Sequence, residues 1–238
     1  MKLGIIGAMD VEIASLKEQM NITKTSTAAN MTFFEGTLGP TNIVLVKSGV
    51  GKVNAAICVQ LLIDQHQVTH VINTGVAGSL DNYINIGDIV VSVDAMYHDV
   101  DATVFGYQKG EIPQMGRVSF PADPSLRAAA VQAVKTVAPD VQCIEGQILS
   151  GDQFISSTSM KKPLMNEFHA SCTEMEGAAI AQAAWLNHIP FVIIRAISDK
   201  ADDSVKESYP IFEEKAARHC AKITAYIAAH YKDGNHKP

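Results

Sequence analysis

The sequence predicts an α/β protein, a single domain in which a central mixed, twisted sheet is flanked by helices on both faces. Three observations predict it. Segments of strand character alternate with segments of helical periodicity along the 238 residues. Several strand segments are apolar at consecutive positions, so both of their faces need cover. No Pro/Gly/Ser-rich linker, internal repeat or low-complexity run divides the chain. One domain of this length buries about three-quarters of the surface its unfolded chain exposes, so it needs no staples. Residues 1–232 are expected to form that domain, and "DGNHKP" (233–238) to fray.

Taken in order, "KLGIIGAM" (2–9) is the first strand. "MTFFEGTLGPTNIVLV" (31–46) reads as a hairpin turning near Gly39-Pro40, with "NIVLVKSG" (42–49) as its second arm. "THVINTG" (69–75), "DIVVSVDAMYH" (88–98), "IEGQILSG" (144–151) and "FVIIRAISD" (191–199) are further strands, rich in β-branched residues. Over 125–137, Leu126, Ala130, Ala133 or Val134, and Val137 recur at helical spacing. Over 208–231, Phe212, Ala216, Cys220, Ile223 and Ile227 do the same, with Ser208 and Pro210 suited to the helix start.

Composition excludes several functions. A net charge of −6 gives no electrostatic reason for nucleic acid or an anionic membrane as the main partner. Lys161-Lys162 is the only basic doublet and reads as solvated helix surface. Cys58, Cys143, Cys172 and Cys220 are scattered in apolar surroundings without a C-x-x-C, which suggests reduced thiols. The opening "MKLGIIGAMDVE" meets an acid at Asp10, too soon for a signal-peptide core, and no apolar run reaches bilayer length. A soluble, cytoplasmic chain is expected. The eight histidines show no zinc spacing, so no metal is expected, and no G-x-S-x-G marks a nucleophilic serine.

Nucleotide loops fail as well. "VKSGVGKV" (46–53) has Val46 where a P-loop needs Gly and Val53 where it needs Ser or Thr, and no G-x-G-x-x-G follows the first strand. No cofactor is expected. The glycines of "SGVGK", "NTGVAGS" (Gly78 among them) and "LSGD" sit at strand ends, where they allow tight turns or close backbone approach to a ligand. In sheets of this kind ligands bind beyond the carboxyl ends of the strands. There the chain places Glu12, Ser79, Asp152 and the pair Ser198-Asp199. Singly, each has a plain alternative: Glu12 at a helix N-terminus, Asp199 in a turn. Together, acids, an arginine and a few aromatics suit acid/base hydrolysis of a neutral ligand. "CTEMEGAAIAQAAW" (172–185) adds two carboxylates against a run built for burial. If 174–176 is extended, Glu174 and Glu176 share a face with Met175 opposite; in a helix they diverge.

"GIIGAMDVE" (4–12), "SGVGKVNAA" (48–56), "NTGVAG" (73–78), "YHDVDATVFGY" (97–107), "SGDQFI" (150–155), "EMEGAAIA" (174–181) and "FVIIRAISDKAD" (191–202) stand in the order of a known family. Over nearly its whole length the chain resembles the 5′-methylthioadenosine/S-adenosylhomocysteine nucleosidases of the nucleoside phosphorylase superfamily. The resemblance implies that fold and hydrolysis of the N-glycosidic bond of adenosine thioethers, 5′-deoxyadenosine included, in methionine salvage and methyl-cycle detoxification. It implies that Asp199, helped by Ser198, protonates adenine N7, and that Glu12 activates the attacking water. Arg195 and Glu174 would support this carboxylate shell. Phe154 would stack on adenine, the Ile155 backbone would bond its edge, Gly78 would line the site, and Met175 and Glu176 would hold ribose. Met9, Val50, Phe105, Pro113 and Tyr209 would surround the 5′-alkylthio group, with Phe105 and Pro113 arriving from the partner of a homodimer. The chain departs from the family at Val76, where many relatives have Ser, and at Tyr209, where Phe is usual.

Two other readings compete. A phosphorylase would replace water by phosphate and needs a cationic site, yet of Arg117, Arg127, Arg195 and Arg218 only Arg195 lies at a predicted strand end. A nucleoside-binding sensor with a decayed site is disfavoured because Glu12, Glu176, Ser198 and Asp199 stand together in the one chain.

Overall fold

In the computed structural model, which describes residues 1–232, the chain begins with β1 (Lys2–Gly7), α1 (Asp10–Gln19), β2 (Asn21–Ala28), β3 (Met31–Leu38), β4 (Thr41–Lys47) and α2 (Lys52–Asp64). It continues through β5 (His70–Ser79), β6 (Ile89–Tyr97), β7 (Phe120–Pro121), α3 (Pro124–Val137), β8 (Cys143–Ser150) and α4 (Thr158–Phe168). It ends with β9 (Cys172–Glu174), α5 (Gly177–Leu186), β10 (Phe191–Asp199) and α6 (Val205–His230). The expected frayed tail, 233–238, lies outside the described residues.

The hairpin turns where its sequence says. Leu38 pairs with Thr41 in antiparallel register, and Gly39 takes φ 59°, a left-handed value that glycine adopts without steric cost. β4 also explains why both faces of the sheet need cover. Ile43 and Leu45 pack with Leu3 and Ile5 of β1, Ile13 and Leu16 of α1, and Ala216, Cys220 and Ile223 of α6. Val44 and Val46 point the other way, into a second core with Cys58, Val59 and Leu62 of α2 and Ala178 through Ala181 of α5. Each such fully buried aliphatic side chain contributes about 1.5–3 kcal/mol.

The strands form one mixed sheet with an open arm and a closed ring. The arm runs β2-β3-β4-β1-β5. β5 then pairs in parallel with β10, β10 antiparallel with β6, β6 parallel with β8, β8 parallel with β9, and β9 antiparallel with β5 again. This closure was not legible in the sequence, because β9 is three residues long and its pairing is wholly non-local.

α3 starts as its sequence requires: Asp123 accepts hydrogen bonds from the Ser125 and Leu126 N–H groups, both at 2.9 Å, and Pro124 occupies the first turn. α6 begins at Val205, a turn before the expected start, so Pro210 lies inside the helix. Proline has no N–H for the helical ladder, but Val205, 4% exposed, buries its side chain in the extra turn, and beyond that turn Tyr209 packs edge-on against Phe154 at 5.5 Å. Lys161 corrects a second expectation. Lys162 is exposed, but Lys161 is 4% exposed, because its position on α4 points it into the loop after β10. The four cysteines are unpaired; Cys58, Cys172 and Cys220 are buried and Cys143 partly so. Among the described residues no helix is long and apolar enough to cross a membrane.

Candidate active site

β1 ends at Gly7, and the chain turns through Ala8 and Met9 into α1, whose first turn carries Glu12. Glu12 is 4% exposed. Its Oε2 accepts from the Ala8 N–H at 2.6 Å and the Met9 N–H at 3.0 Å, and its Oε1 accepts from the Val76 N–H of β5 at 3.0 Å. The acid reaches β5 only because residue 75 is glycine: a Cβ there would lie 2.2 Å from Oε1. Burial pushes the Glu12 carboxyl above its usual range, against the opposing pull of Arg195 and the three amide donors.

The end of β10 is bulged. Ile197 pairs with Ala77 and Asp199 with Gly78, leaving Ser198 as the extra residue. A bulge of this kind re-aims the side chains beside it. Asp199 Oδ1 accepts from the Ala201 N–H at 2.7 Å, and the Ser198 hydroxyl donates to Oδ2 at 2.8 Å. A Cβ on Gly78 would lie 2.8 Å from Asp199 Oδ1, so this acid too rests against a glycine. Burial raises the Asp199 carboxyl, and the two donors only partly offset it.

The carboxylates of 174–176 divide. Glu174 ends β9, whereas Glu176 is the N-cap of α5 with φ −131° and ψ −36°, so the segment is neither extended throughout nor helical. Glu174 Oε2 accepts from Arg195 Nη2, and its Oε1 from the Ser150 hydroxyl. The Gly177 N–H donates to both oxygens, at 3.0 and 2.8 Å. Glu174 thus neutralises both a guanidinium and the positive end of α5. Glu176 turns instead to the N-terminus of α2, where its Oε1 accepts from the Gly51 N–H at 2.8 Å. Burial and the Glu174 charge push the Glu176 carboxyl up. Burial works against the charge of Arg195, but Glu174, Glu12 and Glu176 outweigh it and hold the guanidinium ionised.

These groups border an open pocket of about 590 Å³. Glu12, Glu174, Glu176, Ser198, Asp199 and Gly78 line it, as do the apolar Met9, Val50, Phe154, Ile155, Met175 and Tyr209. Arg195 lies behind the lining, bonded to Glu174 and Asn73. Phe105 and Pro113 are exposed and do not line the pocket. Two expected strand-end residues are also elsewhere. The Ser79 hydroxyl donates to the Asp81 carbonyl in a local turn, and Asp152 is exposed and accepts from the Lys52 N–H at 2.9 Å across the chain. Sequence reasoning missed Asn73 and Ser150, which orient Arg195 and Glu174. The available signal was a polar residue inside an apolar strand. Among the described residues no cluster of His, Cys, Asp or Glu has the geometry of a metal site.

The profile described as the Phosphorylase superfamily matches residues 2–229. The chain is 45% identical over 227 residues to the 5′-methylthioadenosine/S-adenosylhomocysteine nucleosidase of Halalkalibacterium halodurans, covering 95% of this chain and 97% of that one. Its structure is similar to that of the Neisseria meningitidis 5′-methylthioadenosine/S-adenosylhomocysteine nucleosidase in complex with methylthio-immucillin-A, with a TM-score of 0.92, 38% identity, and coverage of 96% of this chain and 98% of that one. It is likewise similar to the nucleosidase of Colwellia psychrerythraea in complex with adenine, with a TM-score of 0.92, 39% identity, and coverage of 96% and 94%. The chain therefore belongs to the phosphorylase superfamily and, within it, to the 5′-methylthioadenosine/S-adenosylhomocysteine nucleosidases, a family of N-glycosyl hydrolases.

Proposed function

We propose that residues 1–232 form one nucleosidase domain that hydrolyses the N-glycosidic bond of 5′-methylthioadenosine and S-adenosylhomocysteine, and of 5′-deoxyadenosine, releasing adenine. One observation carries the choice of water over phosphate. Four carboxylates line the pocket, and no Lys, Arg or His does among the described residues. A phosphate dianion would find no cation in that lining and would be crowded by carboxyl groups.

In this reading Asp199 holds its proton because burial favours the neutral acid, and gives it to adenine N7 as the C1′–N9 bond breaks and its electron pair moves into the base. Adenine leaves poorly as an anion and readily once protonated. Glu12, held by three amide donors, takes a proton from water as the water oxygen bonds to C1′. Glu12 and Glu176 stabilise the cationic sugar of the transition state, and Glu176 accepts from the ribose hydroxyls. Phe154 and Ile155 receive the base, and Met9, Val50, Met175 and Tyr209 the sugar edge and the 5′ group. Arg195 and Glu174 hold the shell. The enzyme would act in the cytoplasm, in methionine salvage and removal of adenosine thioethers.

A homodimer completes the site in this reading. Phe105 is 80% exposed beside Val104 at 84%, on a single turn at Thr103–Phe105, and these apolar side chains suit a neighbour's pocket better than water. The test of the function is adenine release from the three substrates in phosphate-free buffer. Full turnover without phosphate is expected, and strict dependence on phosphate would overturn the hydrolase reading.

A further inference from the structure

The loop after β10 is gripped from several sides. Lys161, on the first turns of α4, is almost fully buried, and its Nζ donates to the Lys200 carbonyl at 2.7 Å. Lys200 in turn reaches the Ile84 carbonyl through its own Nζ. Asp203 accepts from the Thr158 hydroxyl at the start of α4 at 2.6 Å. Between these contacts sits Ala201, fully buried and at φ 52°, a left-handed value that is strained for a non-glycine residue and persists only where its surroundings enforce it.

The Lys200 carbonyl and the Ala201 N–H belong to one peptide unit. Lys161 holds its oxygen, and its N–H donates to Asp199 Oδ1. A buried ammonium is costly without compensation, and a solvated lysine would need no such position. We propose that Lys161 is a positioning residue for the acid Asp199: its ammonium fixes and polarises the Lys200–Ala201 peptide unit, so that the Ala201 N–H keeps the carboxyl aimed and stabilises the carboxylate left after proton donation. Hydrogen bonds in series polarise one another, which gives the relay its electrostatic part. α4 directly follows the segment that carries Phe154 and Ile155, so the same lysine ties the acid to the segment assigned to the base.

The charged groups facing Lys161 are Asp202, Lys200, Asp199 and Asp81; those facing Asp199 are Asp202 and Lys161, with the Tyr209 hydroxyl nearby. Burial lowers the Lys161 ammonium and the facing acids oppose that. The inference rests on Asp199 being the acid, and the experiment separates the two.

Lys161→Met, Lys161→Gln, Lys161→Arg and Asp199→Asn are compared on 5′-methylthioadenosine and on a 5′-methylthioriboside whose leaving group is 4-nitrophenolate, which needs no proton. Lys161→Met is expected to lower kcat on the nucleoside about 10- to 100-fold, a share of the full worth of a general acid, with KM nearly unchanged and the nitrophenyl substrate spared. Its alkaline limb should move to higher pH, since the Ala201 N–H is no longer polarised by the ammonium and stabilises the carboxylate less. Lys161→Gln, which keeps a neutral donor, should fall between, and it carries the comparison should the Met variant fold poorly. Lys161→Arg should recover most of the rate. Unchanged kcat in Lys161→Met and Lys161→Gln, or equal losses on both substrates, overturns the relay. Full adenine release by Asp199→Asn overturns the assignment of the acid itself, whatever the Lys161 variants do.

Discussion

Arg195 and Glu174 form an ion pair sealed beneath the pocket, with Arg195 2% and Glu174 8% exposed. Removing one member leaves the other charge buried without compensation. Arg195→Met should therefore destabilise the protein by about 3–5 kcal/mol, read as a lower urea midpoint. Adding Glu174→Gln to that chain should restore part of the loss. An Arg195→Met protein with the parental midpoint would show that the pair contributes nothing net.

Burial raises both Glu12 and Asp199, while the proposed reaction needs Glu12 ionised and Asp199 protonated. The rate should rise as Glu12 loses its proton and fall as Asp199 loses its own, both limbs lying above ordinary carboxylate values. Asp199→Asn should cut kcat by about 10²–10⁴-fold and leave no alkaline limb of its own. A carboxyl whose folded-state pKa is raised contributes stability that is fully present below its unfolded pKa and lost as pH rises through the folded one. Asp199→Asn should thus melt above the parent at alkaline pH and not at pH about 3, below the unfolded value. Glu176 is present in both chains and cancels. The same Tm difference at both pH values would refute the linkage.

Gly75 has a contact role rather than a conformational one, since its missing Cβ is the space Glu12 Oε1 occupies. Gly75→Ala should cost about 1–3 kcal/mol as the acid is forced aside, and activity should fall far more than the fraction folded does. Calorimetry beside kinetics checks it; losses that track the folded fraction would make the glycine purely structural.

Val76 gives its N–H to Glu12 and its apolar side chain to the pocket. Val76→Ser offers a hydroxyl to the water that Glu12 activates. A gain in kcat of about fivefold, the equivalent of one neutral hydrogen bond of about 1 kcal/mol, is expected. Identical kinetics in the two proteins would remove this explanation.

Phe105→Ala should raise KM for the thioether substrates and leave the chain folded, because the side chain is exposed within its own subunit. Mixing it with Glu12→Gln tests the trans contribution: mixed dimers should contain one site with both residues intact and regain activity. A monomer in sedimentation, or no recovery on mixing, would argue that each chain completes its own site.

What was legible in the sequence follows from what is local. β1, β4 and β10 are apolar runs bounded by polar turns, and the hairpin turn carries Gly39-Pro40. Ser79 and Asp152 looked equivalent to Asp199, all polar residues after strands, yet only Asp199 enters the pocket. A local turn takes Ser79, a contact with Lys52 takes Asp152, and the bulge at Ser198 directs Asp199 inward.

By itself the sequence determined the alternation of strands and helices, the two-faced sheet and the family. These depend on residue order and on periodicities of two and 3.6, which any contiguous segment displays. Only the tertiary structure decided the closure of the ring through β9, the division of Glu174 and Glu176 between Arg195 and Gly51, and the burial of Lys161 against the Lys200 carbonyl. Each of these joins residues from different parts of the chain. Their energies come from desolvated charges and shared hydrogen bonds that exist only after the segments meet.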